Sequence, residues 1–448
     1  MLKVWLGSRF YQSLTCLEEL KIMDCPKLVS FPDVGFPPKL RSLGFANCEG
    51  LKCLPDGMMR NSNASSNSCV LESLEIKQCS SLISFPKGQL PTTLKKLSIR
   101  ECENLKSLPE GMMHCNSIAT TNTMDTCALE SLFIEGCPSL IGFPKGGLPT
   151  TLKQLKIMKC GRLEFLPDGI MRHGSTNAAA LQILEISSCS SLTSFPRGKF
   201  PSTLEQLRIQ DCEQLESISE EMFHPTNNSL QSLHIRGYPN LKALPDCLNT
   251  LTYLSIEDFK NLELLLPRIK NLTRLTGLHI HNCENIKTPL SQWDLSGLTS
   301  LKDLSIGGMF PDATSFSNDP RLILLPTTLT SLSISQFQNL ESLTSLSHQT
   351  LTSLEHLWID DCPKLRSILP SEGLLPDTLS QLCTWGCPHL QQRYSKEEGV
   401  DWPKIAHIPC VGKMWAINKV LLLIQKHHSS SFSPQHHFQF LSPTTGIF

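Results

Sequence analysis

Leucine and isoleucine alternate with polar residues in short stretches that recur along most of the chain. Five of these stretches read "LEELKI", "LESLEI", "LKKLSI", "LESLFI" and "LKQLKI", and each is followed by two variable residues and a cysteine. Alternation with a period of two is typical of a β-strand that buries one face. The pattern therefore predicts a series of short strands with apolar side chains on one side and polar side chains on the other.

The regular spacing of these stretches predicts a repeat architecture. About fifteen copies lie between residues 14 and 390, and successive copies are 21 to 35 residues apart. One copy is too short to bury its own leucines, so neighbouring copies must stack and share a core. We predict an α/β repeat solenoid, a leucine-rich-repeat horseshoe of about fifteen repeats. Its concave face would be a parallel β-sheet, and its convex side would be mostly irregular, since a proline follows most copies.

The same template divides the chain into three parts. We predict a lead-in over residues 1–13, a leucine-rich-repeat domain with a closing segment over 14–411, and a disordered tail over 412–448. The tail lacks the template and is rich in Ser, Pro and Gln. Its two His-His pairs could suggest a metal site, but composition alone is weak support for one.

Cysteine recurs at one position of the template, directly after the predicted strand and its turn. In a stacked solenoid these thiols would form a ladder, packed inside the turns and donating to nearby carbonyl groups. Neighbouring thiols that lie this close favour a reducing compartment. The eleven ladder positions are Cys25, Cys48, Cys79, Cys102, Cys137, Cys160, Cys189, Cys212, Cys283, Cys362 and Cys387.

Charge and hydropathy exclude several other classes of protein. The formal net charge is −1, so nothing attracts the chain as a whole to nucleic acid or an acidic membrane. The first twenty residues lack the uninterrupted apolar core of a secretory signal. No apolar run approaches the length of a spanning helix. We therefore predict a cytoplasmic protein, with the nucleus as a further compartment.

Two sequence features resemble one family. They are the "FPxGxLPxTL" connections between copies and the closing "CPHLQQRYSKEEGVDWPKIAHIPCV", from Cys387 to Val411. Both are similar to the C-terminal leucine-rich region of plant coiled-coil nucleotide-binding disease resistance proteins. The resemblance implies a horseshoe that helps to sense pathogen effectors and restrains a nucleotide switch. The implied partners are an effector, a guarded host protein or a nucleotide-binding signalling domain.

The chain also departs from that family. It contains no G-x-x-x-x-G-K-[ST] loop, and the Gly-Lys pairs at Gly198 and Gly412 have no Ser or Thr after them. Its sequence begins almost directly inside a repeat, without a polar capping unit. We therefore expect a truncated relative that binds no nucleotide and needs no cofactor.

No arrangement of residues predicts an enzyme. His279 and His281 occupy alternate outward positions of one predicted strand, without a matched set of carboxylates or cysteines. The many carboxylates of the template are explained by the solvated face of the strands. We predict a non-enzymatic protein without a metal site.

The outward strand positions carry candidate partner-binding residues. Most of them are polar, but a few are rings, and exposed rings on a concave surface are favoured anchors for protein partners. The candidates are Phe133, Lys153, Lys156, His234, Tyr253 and Trp358. A structural explanation is also open, since charges that alternate from copy to copy attract each other across neighbouring strands.

A second function class stays open beside recognition in plant immunity. An intracellular leucine-rich-repeat adaptor, such as the substrate-binding arm of a ubiquitin ligase, would share the solenoid. It would need a helical docking motif at the N-terminus, and residues 1–13 contain none.

Overall fold

The computed structural model of the protein describes most of residues 14 to 412. The parts of that span outside the description are 31–36, 55–69, 89, 110–111, 114–127, 168, 172–179, 216–217, 219, 224–228, 238–243, 246, 261–268, 284–285, 287–292, 309–312, 316–324, 344–350, 369–374 and 397. The predicted lead-in and the predicted tail beyond residue 412 also lie outside the described residues.

A single parallel sheet of sixteen strands follows the order of the chain. The strands are β1 Glu19–Met23, β2 Ser42–Ala46, β3 Ser73–Lys77, β4 Lys96–Arg100, β5 Ser131–Glu135, β6 Gln154–Met158, β7 Ile183–Ser187, β8 Gln206–Gln210, β9 Ser232–Arg236, β10 Tyr253–Glu257, β11 Gly277–His281, β12 Asp303–Gly307, β13 Ser331–Ser335, β14 His356–Asp360, β15 Gln381–Trp385 and β16 Cys410–Val411. Strands β1 to β15 coincide with the predicted copies, which confirms the leucine-rich-repeat solenoid.

The core is a set of columns in which each strand repeats the residue of its neighbour. In β3 and β4, Leu74 is in register with Leu97 and Ile76 with Ile99. All four side chains are buried, at 0% to 1% exposure. The second and fourth strand residues therefore face the core, and stacking lets each repeat bury what it could not bury alone.

A left-handed turn ends each of these strands. Gln78 follows β3 with a φ of 52°, and its N–H donates to the carbonyl of Arg100 over 2.9 Å. The thiol of Cys79 then donates to the carbonyl of Lys77 over 3.5 Å. This arrangement confirms the predicted ladder, and the described cysteines are free thiols. Burial raises the pKa of Cys79 to about 12, so the thiol is protonated and unreactive at neutral pH.

The threonine of the "LPxTL" connection ties each repeat to the one before it. The hydroxyl of Thr151 donates to the carbonyl of Leu129 over 2.9 Å, and that of Thr203 donates to Leu181 over the same distance. Without this hydroxyl, a main-chain carbonyl in the core would lack a hydrogen-bond donor. The need for a donor explains why the motif contains threonine.

The closing segment packs on the last repeat as two short helices and a strand. The helices are α1 Pro388–Arg393 and α2 Trp402–Ile405, and β16 extends the sheet beside β15. Asp401 is buried between them, where Arg393 Nη2 lies 2.6 Å and Lys404 Nζ 3.3 Å from its carboxylate. Neither these helices nor any other in the described residues has the length and apolarity to span a membrane.

Candidate functional site

The open face of the sheet consists of the first, third and fifth residues of β1 to β15. Their side chains point away from the core because the second and fourth residues are turned into it. Five of the six predicted partner-binding residues occupy these positions, and Lys153 directly precedes β6. The structure brings some of them together: Phe133 is in register with Lys156, and His234 stacks on Tyr253. Trp358 lies apart, on β14.

Phe133 holds a cation of the same chain. The guanidinium carbon of Arg100 lies 4.5 Å from the centre of the Phe133 ring. Arg100 is in register with Glu135, whose carboxylate lies 3.2 Å from Lys159 Nζ. The contact between Arg100 and Phe133 is a cation–π arrangement between two neighbouring strands.

The two predicted lysines form ion pairs with neighbouring strands. Lys156 Nζ lies 3.1 Å from Glu185, whose other oxygen is 3.7 Å from Arg208. Lys153 Nζ lies 3.1 Å from Glu130. These contacts confirm that charges of opposite sign attract between copies, and they tie both lysines to the scaffold.

A stack of rings crosses β9, β10 and β11. The centroids of His234 and Tyr253 are 4.6 Å apart, and those of Tyr253 and His279 are 5.1 Å apart. His234 keeps only 8% of its surface exposed, which corrects the expectation of an exposed ring at this position. Glycine at 277 makes room for the stack, since a Cβ there would lie 2.7 Å from the Tyr253 ring.

His281 contacts serine hydroxyls on two other strands, β12 and β13. Its Nε2 lies 2.7 Å from the hydroxyl of Ser305 and its Nδ1 lies 3.4 Å from that of Ser335. Gly307 lies beneath it, where a Cβ would come within 2.6 Å of Nδ1. Burial lowers the pKa of His281, so the ring is neutral at pH 7. The sequence pattern places this histidine at an outward position, and the small residues at 305, 307 and 335 leave the space in which its ring is half-buried.

Trp358 and Trp385 form the aromatic end of the open face. Trp358 stacks on His356 at 5.4 Å, and Trp385, on β15, is 55% exposed. Asp360 lies between them, two residues after Trp358 and in register with Trp385. Burial and the neighbouring Asp361 carboxylate raise the pKa of Asp360. Trp385 was missed by the sequence analysis, although it occupies the fifth position of the last, degenerate copy.

A cavity of about 310 Å³ adjoins Trp385 at the closing segment. Its lining includes the rings of Trp385, Tyr394 and Trp402, and Lys396 is the basic residue among the lining residues. The three rings give the cavity apolar surface, and Gln391 and Ser395 are among its polar lining residues.

The described residues give no support to metal chemistry. Among them, no three His, Cys, Asp or Glu side chains are close enough together to hold a metal ion. The histidine pairs of the tail lie outside the described residues.

Comparison with known proteins places this site in a family context. The family described as plant disease resistance protein RPS2-like leucine-rich repeats matches residues 168–309. A relative from Arabidopsis thaliana, named as a disease resistance protein, is 31% identical over 90% of this chain and 25% of its own length. An RPP13-like disease resistance protein of the same plant is 34% identical over 37% of this chain and 13% of its own.

The chain thus spans about a quarter or less of the length of these two relatives. Among solved structures, YopM from Yersinia enterocolitica is 18% identical, with 83% of each chain covered and a TM-score of 0.31. The family match and the named relatives confirm the resemblance: the chain is a leucine-rich-repeat solenoid similar to the leucine-rich-repeat region of plant disease resistance proteins.

Proposed function

We propose that the chain is a non-enzymatic protein-recognition module of plant innate immunity. Its partner would be a pathogen effector, a guarded host protein or a nucleotide-binding signalling domain, bound on the open face. The proposal rests on the geometry of the open face. Fifteen strands in one register present a continuous array of side chains, and rings on such a surface are favoured anchors.

We propose further that residues 14–411 act as one recognition domain, between the lead-in at 1–13 and the tail at 412–448. The unbroken strand order from β1 to β16 supports this, as does the packing of the closing segment on β15. The proposed location is the cytoplasm, with access to the nucleus. The ladder supports it, because buried thiols in adjacent repeats would pair wrongly in an oxidising compartment.

Thiol titration tests the location. The purified protein, unfolded without reductant, should show close to nineteen free thiols, the number of its cysteines. Several stoichiometric disulfides in the native protein would contradict a cytoplasmic location.

A co-purification experiment in leaf tissue tests the recognition role. The chain would be expressed with candidate pathogen effectors and with nucleotide-binding domains of its relatives. We expect one of them to co-purify, and the combined Phe133→Ala, Tyr253→Ala and Trp358→Ala variant to lose it while keeping the circular dichroism of the wild type. If that variant binds as well as the wild type, the open face is not the binding surface.

A further inference from the structure

Two places on the open face each carry a ring and a carboxylate at the third and fifth residues of one strand. At the first, Phe133 and Glu135 are the third and fifth residues of β5, and Arg100 is the fifth residue of β4. Arg100 reaches diagonally onto the ring, 4.5 Å from its centre. At the second, Trp358 and Asp360 are the third and fifth residues of β14. The ring and the carboxylate are thus placed in the same way on both strands.

The second place lacks the cation. The residue of β13 that corresponds to Arg100 is Ser335, and the one on the far side, in β15, is Trp385. None of the outward residues of β10 to β15, nor the turn residue after each strand, is Lys or Arg. Among the described residues, Asp360 and Asp361 form no salt bridge, and each carboxylate adds to the negative charge around the other.

We propose that a lysine or arginine side chain of a protein partner occupies this place, beside Asp360 and against the rings of Trp358 and Trp385. A cation beside an indole face and a carboxylate gains both a cation–π contact and a charge-assisted hydrogen bond. Tryptophan is the best ring for such a contact, and Trp385 offers an exposed one. This inference rests on the proposed function and names the chemistry of its partner.

The cavity beside Trp385 indicates which kind of residue lies next to the basic residue in the partner. Its rings suit a large apolar side chain, and Lys396 at its lining repels a second cation. The partner segment therefore carries Lys or Arg next to a bulky apolar residue. The two preferences together separate this partner from a uniformly basic one.

The charge of Asp360 is a cost to the free protein. Burial and Asp361 both disfavour its ionised form, so neutralising it should not destabilise the fold. A carboxylate whose charge the fold disfavours is a candidate binding group. Asp360→Asn is therefore expected to keep the fold and to lose only the proposed contact.

A library of random peptides displayed on phage tests the proposal. Selection on the folded chain should enrich peptides that carry Lys or Arg beside an aromatic or large aliphatic residue. For one enriched peptide, fluorescence anisotropy should show about tenfold weaker binding to Asp360→Asn and to Trp385→Ala, and when its basic residue becomes Gln. The matched control is Glu135→Gln, the same change at the first place, which should leave the affinity within about twofold of wild type.

The outcomes separate the partner chemistry from the recognition role. If neutral or acidic peptides are enriched, or if Glu135→Gln weakens binding as much as Asp360→Asn, the cation site is wrong while recognition by the open face stands. If no peptide is enriched, the cation site is overturned, and the co-purification experiment alone decides the recognition role. Unchanged binding by Asp360→Asn and Trp385→Ala would also overturn the cation site.

Discussion

Strands β3 to β8 and strands β10 to β15 share a backbone but use their open faces differently. In the first group, lysines and arginines alternate with glutamates and form ion pairs between neighbours, as Lys156 and Arg208 do with Glu185. In the second group the outward acids are Glu257, Asp303 and Asp360, and Lys and Arg are absent from the outward positions. The core columns of Leu and Ile run through both groups, except that β15 has Thr384 in the Ile column.

This difference separates the strand positions that hold the fold from those that are available for binding. Since the backbone register is the same throughout, outward residues vary without changing the scaffold. In the first group, charges of opposite sign are paired between neighbouring strands. A partner that binds charged groups there would have to break these ion pairs. In the second group Trp385 is an exposed ring, and the neighbouring Asp360 forms no salt bridge among the described residues.

We expect the largest loss of stability from changes in the core, which the two groups share. Leu155→Ala in β6 and Leu357→Ala in β14 should each lower the free energy of unfolding by about 2–5 kcal/mol, because each leaves a cavity in the same core. Trp358→Ala, one residue away on the open face, should change it by no more than about 1 kcal/mol. Denaturant melts measure all three. Equal losses for Leu357→Ala and Trp358→Ala would show that Trp358 belongs to the core.

A smaller effect separates the two groups by its sign. Glu185→Gln removes the charge that holds Lys156 and Arg208 and should cost about 1–2 kcal/mol of stability. Asp360→Asn, the same chemical change in β14, should leave stability unchanged or raise it, because the raised pKa of Asp360 shows that the fold disfavours its charge. Thermal unfolding at pH 7 compares them. Equal losses from both variants would remove the contrast between the two groups.

The smallest effect is a pH dependence in the second group. His281 has a lowered pKa in the folded protein, because burial outweighs the attraction of Glu257 and Asp258. Below about pH 6.5 the unfolded chain therefore binds a proton more readily than the folded one. The contribution of neutral His281 to the free energy of unfolding is fully present above that pH. It decreases as the pH falls, until His281 is protonated in the folded protein as well.

Melts of the wild type and of His281→Gln between pH 5 and 8 check this dependence. The stability difference between the two proteins should narrow as the pH falls. A constant difference would mean that His281 titrates alike in the folded and unfolded states.

The sequence predicts the scaffold well because the repeat is a local code. The positions of Leu357, Ile359 and Cys362 hold leucine, isoleucine and cysteine in most copies, so strand position, register and the thiol ladder follow from the pattern. The open face is harder to read, since its contacts join residues of different copies. Examples are the contacts of Arg100 with Phe133, of Tyr253 with His234, and of His281 with Ser335. Each depends on which side chains of neighbouring strands meet, and the template does not specify the outward residues.

The proposed cation site lies on β14 and β15, where the outward residues include no Lys or Arg. Nuclear magnetic resonance of the tryptophan indoles, assigned with Trp358→Phe and Trp385→Phe variants, tests it most directly. Titration with the blocked amino acid N-acetyl-arginine methylamide should shift the Trp358 and Trp385 signals. N-acetyl-glutamine methylamide should not, and Asp360→Asn should abolish the arginine response. Equal shifts with both compounds, or an arginine response that persists in Asp360→Asn, would contradict the claim.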